Sequence, residues 1–381
     1  MKTKTCKRLF MITLLAVVFF IGNLSASASQ FNFAVEAVLP DNQVDKKVSY
    51  FDLLMTPGQA QTVQVKLSNS TDKDVTVEIG GSSATTNVNG AVEYSPTDIK
   101  TDKSLKYNIT DFITLPKEVV LKPKTTQALD VQVTMPEEQF TGVIAGGLTF
   151  KQKSSETNSS QNDAKGVSIK NEYSFVIALL MRQEPTIVAP NLQLNDIYAN
   201  QLNYRNVISA NLQNPTMGYL NRMNVDAKIT GITDKNTSFV IQKDMMQMAP
   251  NTNFDFPIPV SKQGILEENQ YSEPLKPGKY HLSMIVHGQE DPNGVYTAKD
   301  STGKDIKYAY EWKFEKDFEI TGEEAKKLNE KDVTIKKDNS WIYWLIGALI
   351  LLIILGFLFF ILWKRRQKED EEDEKEQSNN N

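Results

Sequence analysis

Two histidines, two pairs of adjacent acids and one glycine-bearing polar run are the features of this 381-residue chain whose residue types could do chemistry. His281 and His287 lie six apart in a run of strand character, so they share a face but sit about 20 Å apart at ~3.3 Å per residue. They cannot ligate one metal ion together. The two histidines are in the second half and the single cysteine is Cys6, so Ser-His-Asp and Cys-His catalysis have no base to call on in the first half. Glu137-Glu138 and Glu267-Glu268 each place two acids together, as a glycosidase would need. Neighbouring acids in loop sequence are expected to stay solvated instead. The stretch "GGSSATTNVNG", 80 to 90, lacks the spacing of a phosphate loop and no helix follows it, so a flexible turn is expected. No catalytic, cofactor-binding or metal-ligating residue is assigned, no cofactor is expected, and the ligand-contact residues are unassigned.

The remaining eye-catching side chains read as core. Met245, Met246 and Met248 precede Pro250, with Phe254 and Phe256 alternating behind them; they could form an adaptable binding surface, but core is the expectation. The same holds for Tyr50-Phe51 and for Trp312, Phe314 and Phe318. Asn69, Asn108, Asn158 and Asn236 match the N-glycosylation pattern, which arises often by chance in an Asn- and Thr-rich chain.

The elements that would position any site are strands. In "VKLSNSTDKDVTVEIG", 65 to 80, and just before it, Val63, Val65 and Leu67 alternate with polar residues, as do Val75, Val77 and Ile79. Period two with a polar connection predicts a β-hairpin with one buried face. The same writing recurs in "FNFAVEAVLP", "LDVQVTMP", "GVIAGGLTF" and "YSFVIALLMR", then in "NVISANLQNP", "NRMNVDAKIT", "KYHLSMIVHG" and "YEWKFEKDFEI". Turn signals such as Asn-Pro, Met-Pro and Pro-Gly close them at sandwich spacing. Helical periodicity is nearly absent before residue 321. An all-β fold of two tandem β-sandwiches follows, the first over 31–184 and the second over 185–320. The polar run 154–166 is expected as a long hairpin loop between two paired strands of the first.

Both ends of the chain carry targeting signals. Lys2, Lys4, Lys7 and Arg8 precede an apolar run from Leu9 to Ile21 and the small residues Ser25 to Ala28. This reads as a secretory signal peptide over 1–28, cleaved after Ala28. Trp341 to Trp363 carries no charge and at ~1.5 Å per residue spans about 34 Å, enough for one transmembrane helix. Lys364-Arg365-Arg366 follows at once, which places the tail 364–381 in the cytoplasm and the sandwiches outside. Residues 321–340 are expected as a charged stalk of at most about 70 Å, and the tail as too charged to fold. No Leu-Pro-x-Thr-Gly precedes the helix, so the helix itself is the expected anchor.

Charge excludes one class of partner. Residues 29–184 hold 15 basic and 19 acidic side chains, net −4, and residues 185–320 hold 13 and 16, net −3. Nucleic acid is therefore not an expected ligand. With Cys6 inside the signal, the secreted part has no thiol and no disulfide, which fits a bacterial surface protein.

Taken in order, "YFDLLMTPGQAQTVQVKLSNSTDKDVTVEI", "SATTNVNGAVEYS", "MPEEQFTGVIAGGLTF", "NYRNVISANLQNP", "YLNRMNVDAKIT" and "MQMAPNTNFDFPI" resemble the WxL-interacting proteins of Gram-positive bacteria. The resemblance implies an immunoglobulin-like domain that binds peptidoglycan, followed by an immunoglobulin-like domain that binds host or partner proteins. It also implies a surface adhesion complex with WxL-domain proteins and contact with host extracellular matrix proteins. The expectation is a non-enzymatic, membrane-anchored surface protein. Its rivals are a cell-wall-modifying hydrolase and a mechanical spacer without a ligand.

Overall fold

Alternating apolar residues become strands whose buried sides face one another in two sandwiches. The computed structural model describes residues 31–153, 173–265, 267, 270–337 and 340–379; the expected signal peptide and the run 154–166 lie outside them. The first sandwich is built from β1 (Phe33–Val38), β2 (Phe51–Leu54), β3 (Ala60–Asn69), β4 (Val75–Ser83), β5 (Thr85–Thr86), β6 (Val92–Glu93), β7 (Ile113–Thr114), β8 (Glu118–Leu121), β9 (Thr126–Thr134), β10 (Ile144–Gln152) and β11 (Ser174–Arg182). One sheet runs β1-β3-β9-β7 and the other β2-β11-β10-β4-β8, with β5 and β6 a small ribbon beside them. Val63, Val65 and Leu67 of β3 and Val75 and Val77 of β4 are buried in the core between these sheets. Each such side chain contributes about 1.5–3 kcal/mol relative to exposure.

β3 and β4 are not a hairpin. β3 bonds to β1 and β9, whereas β4 bonds to β10 and β8, so the chain between them arches from one sheet to the other. Sheets pack about 10 Å apart, a gap a polar connection of this length spans. Buried Asn69 holds the arch: its amide donates to the carbonyls of Lys73 (2.7 Å) and Leu121 (3.0 Å). Alternation reports which face is buried and not which strand is the neighbour. β10 and β11 do pair antiparallel, Leu148 opposite Ile177. β11 thus sits in the first sandwich, where it also pairs parallel with β2.

The second sandwich contains β12 (Gln193–Leu202), β13 (Arg205–Asn214), β14 (Leu220–Gly231), β15 (Ser238–Met248), β16 (Thr252–Pro259), β17 (Gly278–Glu290), β18 (Tyr296–Lys299) and β19 (Asp305–Ile320). Its sheets run β12-β13-β16 and β15-β14-β17-β19-β18. Phe254, Phe256, Met246 and Met248 are buried in its core, and Trp312, Phe314 and Phe318 pack partly buried against it. Met245 departs from the expectation. It takes a left-handed φ of 58° at an irregularity in the β14–β15 ladder, which turns its side chain outward.

The segment expected as a stalk is partly folded onto this sandwich. Helix α1 (Gly322–Lys331) starts at Thr321, whose hydroxyl accepts from the Glu324 N–H while the Glu324 carboxylate accepts from the Thr321 N–H. Ala325 is buried, and Asp332 and Thr334 beyond the helix are fully buried. Helix α2 (Ser340–Asn379) contains the apolar span Trp341–Lys364, the one helix among the described residues long and apolar enough to cross a membrane. It continues through the tail expected to stay unfolded. Glu, Lys, Gln and Arg are good helix formers, and the apolar span supplies the nucleus they lack.

Candidate functional site

The residues marked in the sequence are placed apart. The His281 imidazole meets Asp317 at 2.5 Å and Glu315 at 2.8 Å on the outer face of β17 and β19. Those hydrogen bonds, Asp317 first, raise its pKa. His287 is buried against the Tyr308 ring and bonds Glu311 at 3.1 Å. Glu138 is exposed and tied to the Lys106 ammonium (2.6 Å) and the Tyr107 hydroxyl (3.1 Å), with Glu137 also exposed beside it. Among the described residues no group of three or more His, Cys, Asp or Glu side chains is arranged to hold a metal.

The structure instead assembles a recess of about 230 Å³, lined about equally by polar and apolar surface, where the two sandwiches meet. Its floor is the end of β4 and the start of β5, its wall is the loop between β6 and β7, and its far side is Asn251 to Asn253 at the start of β16. The run 80–90 is therefore strand as far as Ser83, and the turn is confined to Asn87–Gly90, where the Gly90 N–H donates to the Asn87 carbonyl. Glycine is what lets the loop lie against the sheet. A Cβ on Gly147 would stand 2.4 Å from the Tyr94 carbonyl oxygen, and one on Gly146 would stand 2.5 Å from the Ile109 side chain. Tyr94 thus crosses one side of β10, and fully buried Ile109 enters the core on the other.

Side-chain to backbone bonds fix the loop locally, as short polar side chains do outside regular structure. The Asp102 carboxylate accepts from the Ser104 N–H at 2.7 Å, and Thr97 Oγ1 accepts from the Ile99 N–H at 3.2 Å. The Asn108 side chain accepts from the N–H of Thr110 and from the Ser83 hydroxyl (2.9 Å), capping a turn of 3-10 helix at Ile109–Asp111. Ser83 Oγ in turn accepts from the Ile109 N–H at 3.0 Å.

Asp102 also reaches across to the second sandwich. It accepts from Gln213 (2.8 and 3.0 Å) and from Asn253 (2.5 Å). Burial pushes its pKa up, but these hydrogen bonds and those from Ser104 outweigh it, so the carboxyl is held below its ordinary value. Around it the junction is closed by Thr86 Oγ1 against Thr252 Oγ1 (2.7 Å), the Gln247 N–H to the Gly90 carbonyl (2.7 Å) and the Val143 N–H to the Met217 carbonyl (2.9 Å). Beside them Ala84, Val143, Ala145 and Leu180 pack on Ala249, with the Tyr94 and Tyr219 hydroxyls 3.1 Å apart.

What the recess offers a ligand is hydroxyls and amides with one cation, Lys100, and small apolar faces from Ile99 and Leu105. Thr85 Oγ1 is buried in its lining without a hydrogen-bond partner. Asp102 is saturated by donors, so it serves as a fixed acceptor rather than a base. The sequence signal for this site was the pair Gly80-Gly81 together with Gly146-Gly147, which mark where a loop lies close on a sheet.

Among solved structures, the chain is similar to the Salmonella enterica SafA pilin in complex with the SafB chaperone (10% identity, TM-score 0.29, 76% of this chain and 98% of that one). It is also similar to the E. coli chaperone DraB (13%, TM-score 0.26, 76% and 96%) and to the YadV chaperone (12%, TM-score 0.28, 76% and 100%). No curated protein matches it. Two family models match: the peptidoglycan binding domain of the WxL Interacting Protein over residues 33–152, and its host binding domain over residues 164–330. The second begins ahead of β11, although hydrogen bonds set that strand in the first sandwich. With matches in this order along most of its length, the chain belongs to the WxL-interacting protein family.

Proposed function

We propose that this chain is a non-enzymatic, single-pass surface protein whose first sandwich grips peptidoglycan in the recess above β4 and β5. The second sandwich presents its outer surface to WxL-domain proteins and to host extracellular proteins, and Trp341–Lys364 holds both at the membrane with the tail inside. The observation that carries the reading is the recess itself. All of its lining but Asn251 to Asn253 lies in the segment matched by the peptidoglycan-binding family, and its hydroxyls and amides suit a polymer of sugars and short peptides. A site whose walls are fixed by the junction loses little conformational freedom on binding, and many weak contacts to a repetitive polymer add up by multivalency.

The test is co-sedimentation of the detergent-solubilised full chain with purified sacculi, beside Thr101→Trp, an exposed position that would fill the recess. The native chain should pellet and the variant should lose about tenfold in apparent affinity, or about 1.4 kcal/mol, because the indole occupies the space a ligand would enter. A native chain left in the supernatant overturns wall binding; a variant that pellets equally overturns the recess as its site. Soluble wall fragments released during incubation would replace the binding reading by a hydrolytic one.

A further inference from the structure

The second sandwich has a lower end, opposite the junction, where the chain leaves for its apolar helix. The turn between β12 and β13 is Asn203-Tyr204, both left-handed at φ 51° and 58°. The Tyr204 carbonyl accepts from the Val333 N–H at 3.0 Å, which stitches this turn to the exit. Thr334 is the last fully buried residue among the described ones; its carbonyl accepts from the Ser272 N–H (2.9 Å) and its hydroxyl meets Ser272 Oγ at 2.7 Å. From Thr334 to Trp341 the chain can reach at most about 24 Å when fully extended. The lower end is therefore held within one short tether of the first residue of the apolar span.

Around the exit the surface is apolar and cationic together. Ile265 is 97% exposed, Tyr204 68%, Val333 58% and Tyr271 49%. The Arg205 guanidinium donates to the Gly264 carbonyl at 2.5 Å beside Ile265, and the Lys336 ammonium stands 5.9 Å over the Tyr271 ring. Lys262 and Lys337 are exposed on the same end. Among the described residues the acids there include Glu267, Glu273, Glu319, Glu323, Glu324 and Glu330, all exposed, and Asp234, which is taken up by Lys276 at 2.9 Å. Phenols with a polar tip, an aliphatic side chain standing into solvent and lysines beside the exit make the composition of a surface that sits at a membrane interface.

We infer that this end rests on the headgroup layer of the bilayer that α2 enters. Tyr204, Ile265 and Tyr271 lie in the interface, with Lys336 and Lys337 over anionic phospholipid. The inference rests on reading Trp341–Lys364 as a membrane span. Its consequence is mechanical: the second sandwich stands on the membrane at a fixed height and does not swing on its tether, so the recess is carried at a set distance into the wall.

The chain has one cysteine, Cys6, so single thiols report cleanly in a Cys6→Ser background. The full chain carrying Ile265→Cys, Val295→Cys or Leu352→Cys is labelled with an environment-sensitive fluorophore and placed in anionic phospholipid nanodiscs with a lipid-borne quencher. Val295, 82% exposed, follows the far end of β17 and serves as the distal control. Quenching at 265 should reach roughly half that at 352, while 295 shows about a tenth or less. If 352 is quenched and 265 behaves like 295, the contact is overturned and the membrane span stands. If 352 is not quenched, the span itself falls and takes the contact with it. Lys336→Gln with Lys337→Gln should cut binding of the 265 site about thirtyfold, since each lysine near an anionic surface contributes on the order of 1 kcal/mol. Unchanged quenching in that variant removes the lysines from the contact.

Discussion

The two ends of the second sandwich are both pinned by a buried carboxylate, and they differ in everything around it. At the upper end Asp102, supplied by the first sandwich, gathers Gln213 and Asn253, and small apolar side chains close over Ala249. At the lower end Asp332 accepts from the Asn206 N–H (2.7 Å), the Ser261 hydroxyl (2.6 Å) and the N–H and hydroxyl of Thr334. Beyond that ring, Tyr204, Ile265 and Val333 are left uncovered. Buried polar groups with matched partners specify one neighbour in one orientation, because any slip leaves a donor unpaired at a cost of about 1–3 kcal/mol. An exposed apolar and cationic rim specifies a kind of surface and no register. The upper end is built for one protein face and the lower for a layer.

The largest expected effect lies under the upper end. Arg182 donates to Asp52 from Nε at 2.8 Å and from its terminal nitrogen at 3.0 Å. Burial raises the Asp52 pKa and Arg182 opposes that rise. Arg182→Met strips the cation from a buried carboxylate and should cost about 3–5 kcal/mol, read from chemical denaturation of the first sandwich. Asp102→Ala comes next. It leaves the amides of buried Gln213 and half-buried Asn253 without this acceptor, and about 2 kcal/mol should be lost from the junction. Calorimetry then should resolve two transitions where the native chain melts its sandwiches together. One unchanged transition would mean that the apolar contacts around Ala249 hold the junction without Asp102.

These positions measure how much could be read from the sequence. Strand alternation gave the buried faces of β3, β4 and β14, because each face is set by a local period of two. It does not report strand neighbours: β3 and β4 belong to different sheets, yet the arch at Asn69 uses the same polar residues as a hairpin turn. Asp102 and Asp332 carry no signal in sequence. Each is one acid among many, and what singles it out is the set of donors brought to it from strands far along the chain. The lower end was hidden for another reason: a charge-rich segment reads as stalk, yet Thr321 and Glu324 cap a helix that is docked through Ala325.

Acid should test both ends at once. Hydrogen bonds hold Asp102 and Asp332 below their ordinary pKa in spite of burial. A group whose folded pKa is depressed contributes stability above its unfolded value and loses it as the pH falls through the folded one. Both contributions are therefore complete at neutral pH and disappear as the pH drops below about 4. Hydrogen exchange at the Asn206 N–H, which donates to Asp332, should accelerate in that window together with exchange of the junction amides of Gln247 and Val143. If the junction opens and Asn206 stays protected, the lower end is held by its backbone and not by Asp332.

The smallest expected effect draws the comparison most sharply. Tyr204→Asn keeps a residue that tolerates the left-handed turn, and Ile265→Ser changes a side chain that is almost wholly in solvent. If those side chains held the fold, their loss would cost what burial of a Tyr or an Ile contributes. Standing outside the core, they should change the stability of the soluble chain by no more than about 0.5 kcal/mol each. Denaturation in detergent would then show no shift, while the same two variants in anionic nanodiscs would lose the lower end's contact with lipid. A large loss of stability in detergent would instead assign Tyr204 and Ile265 to the packing of the 261–277 loop, and the two ends would then differ only in which part of the same protein each one holds.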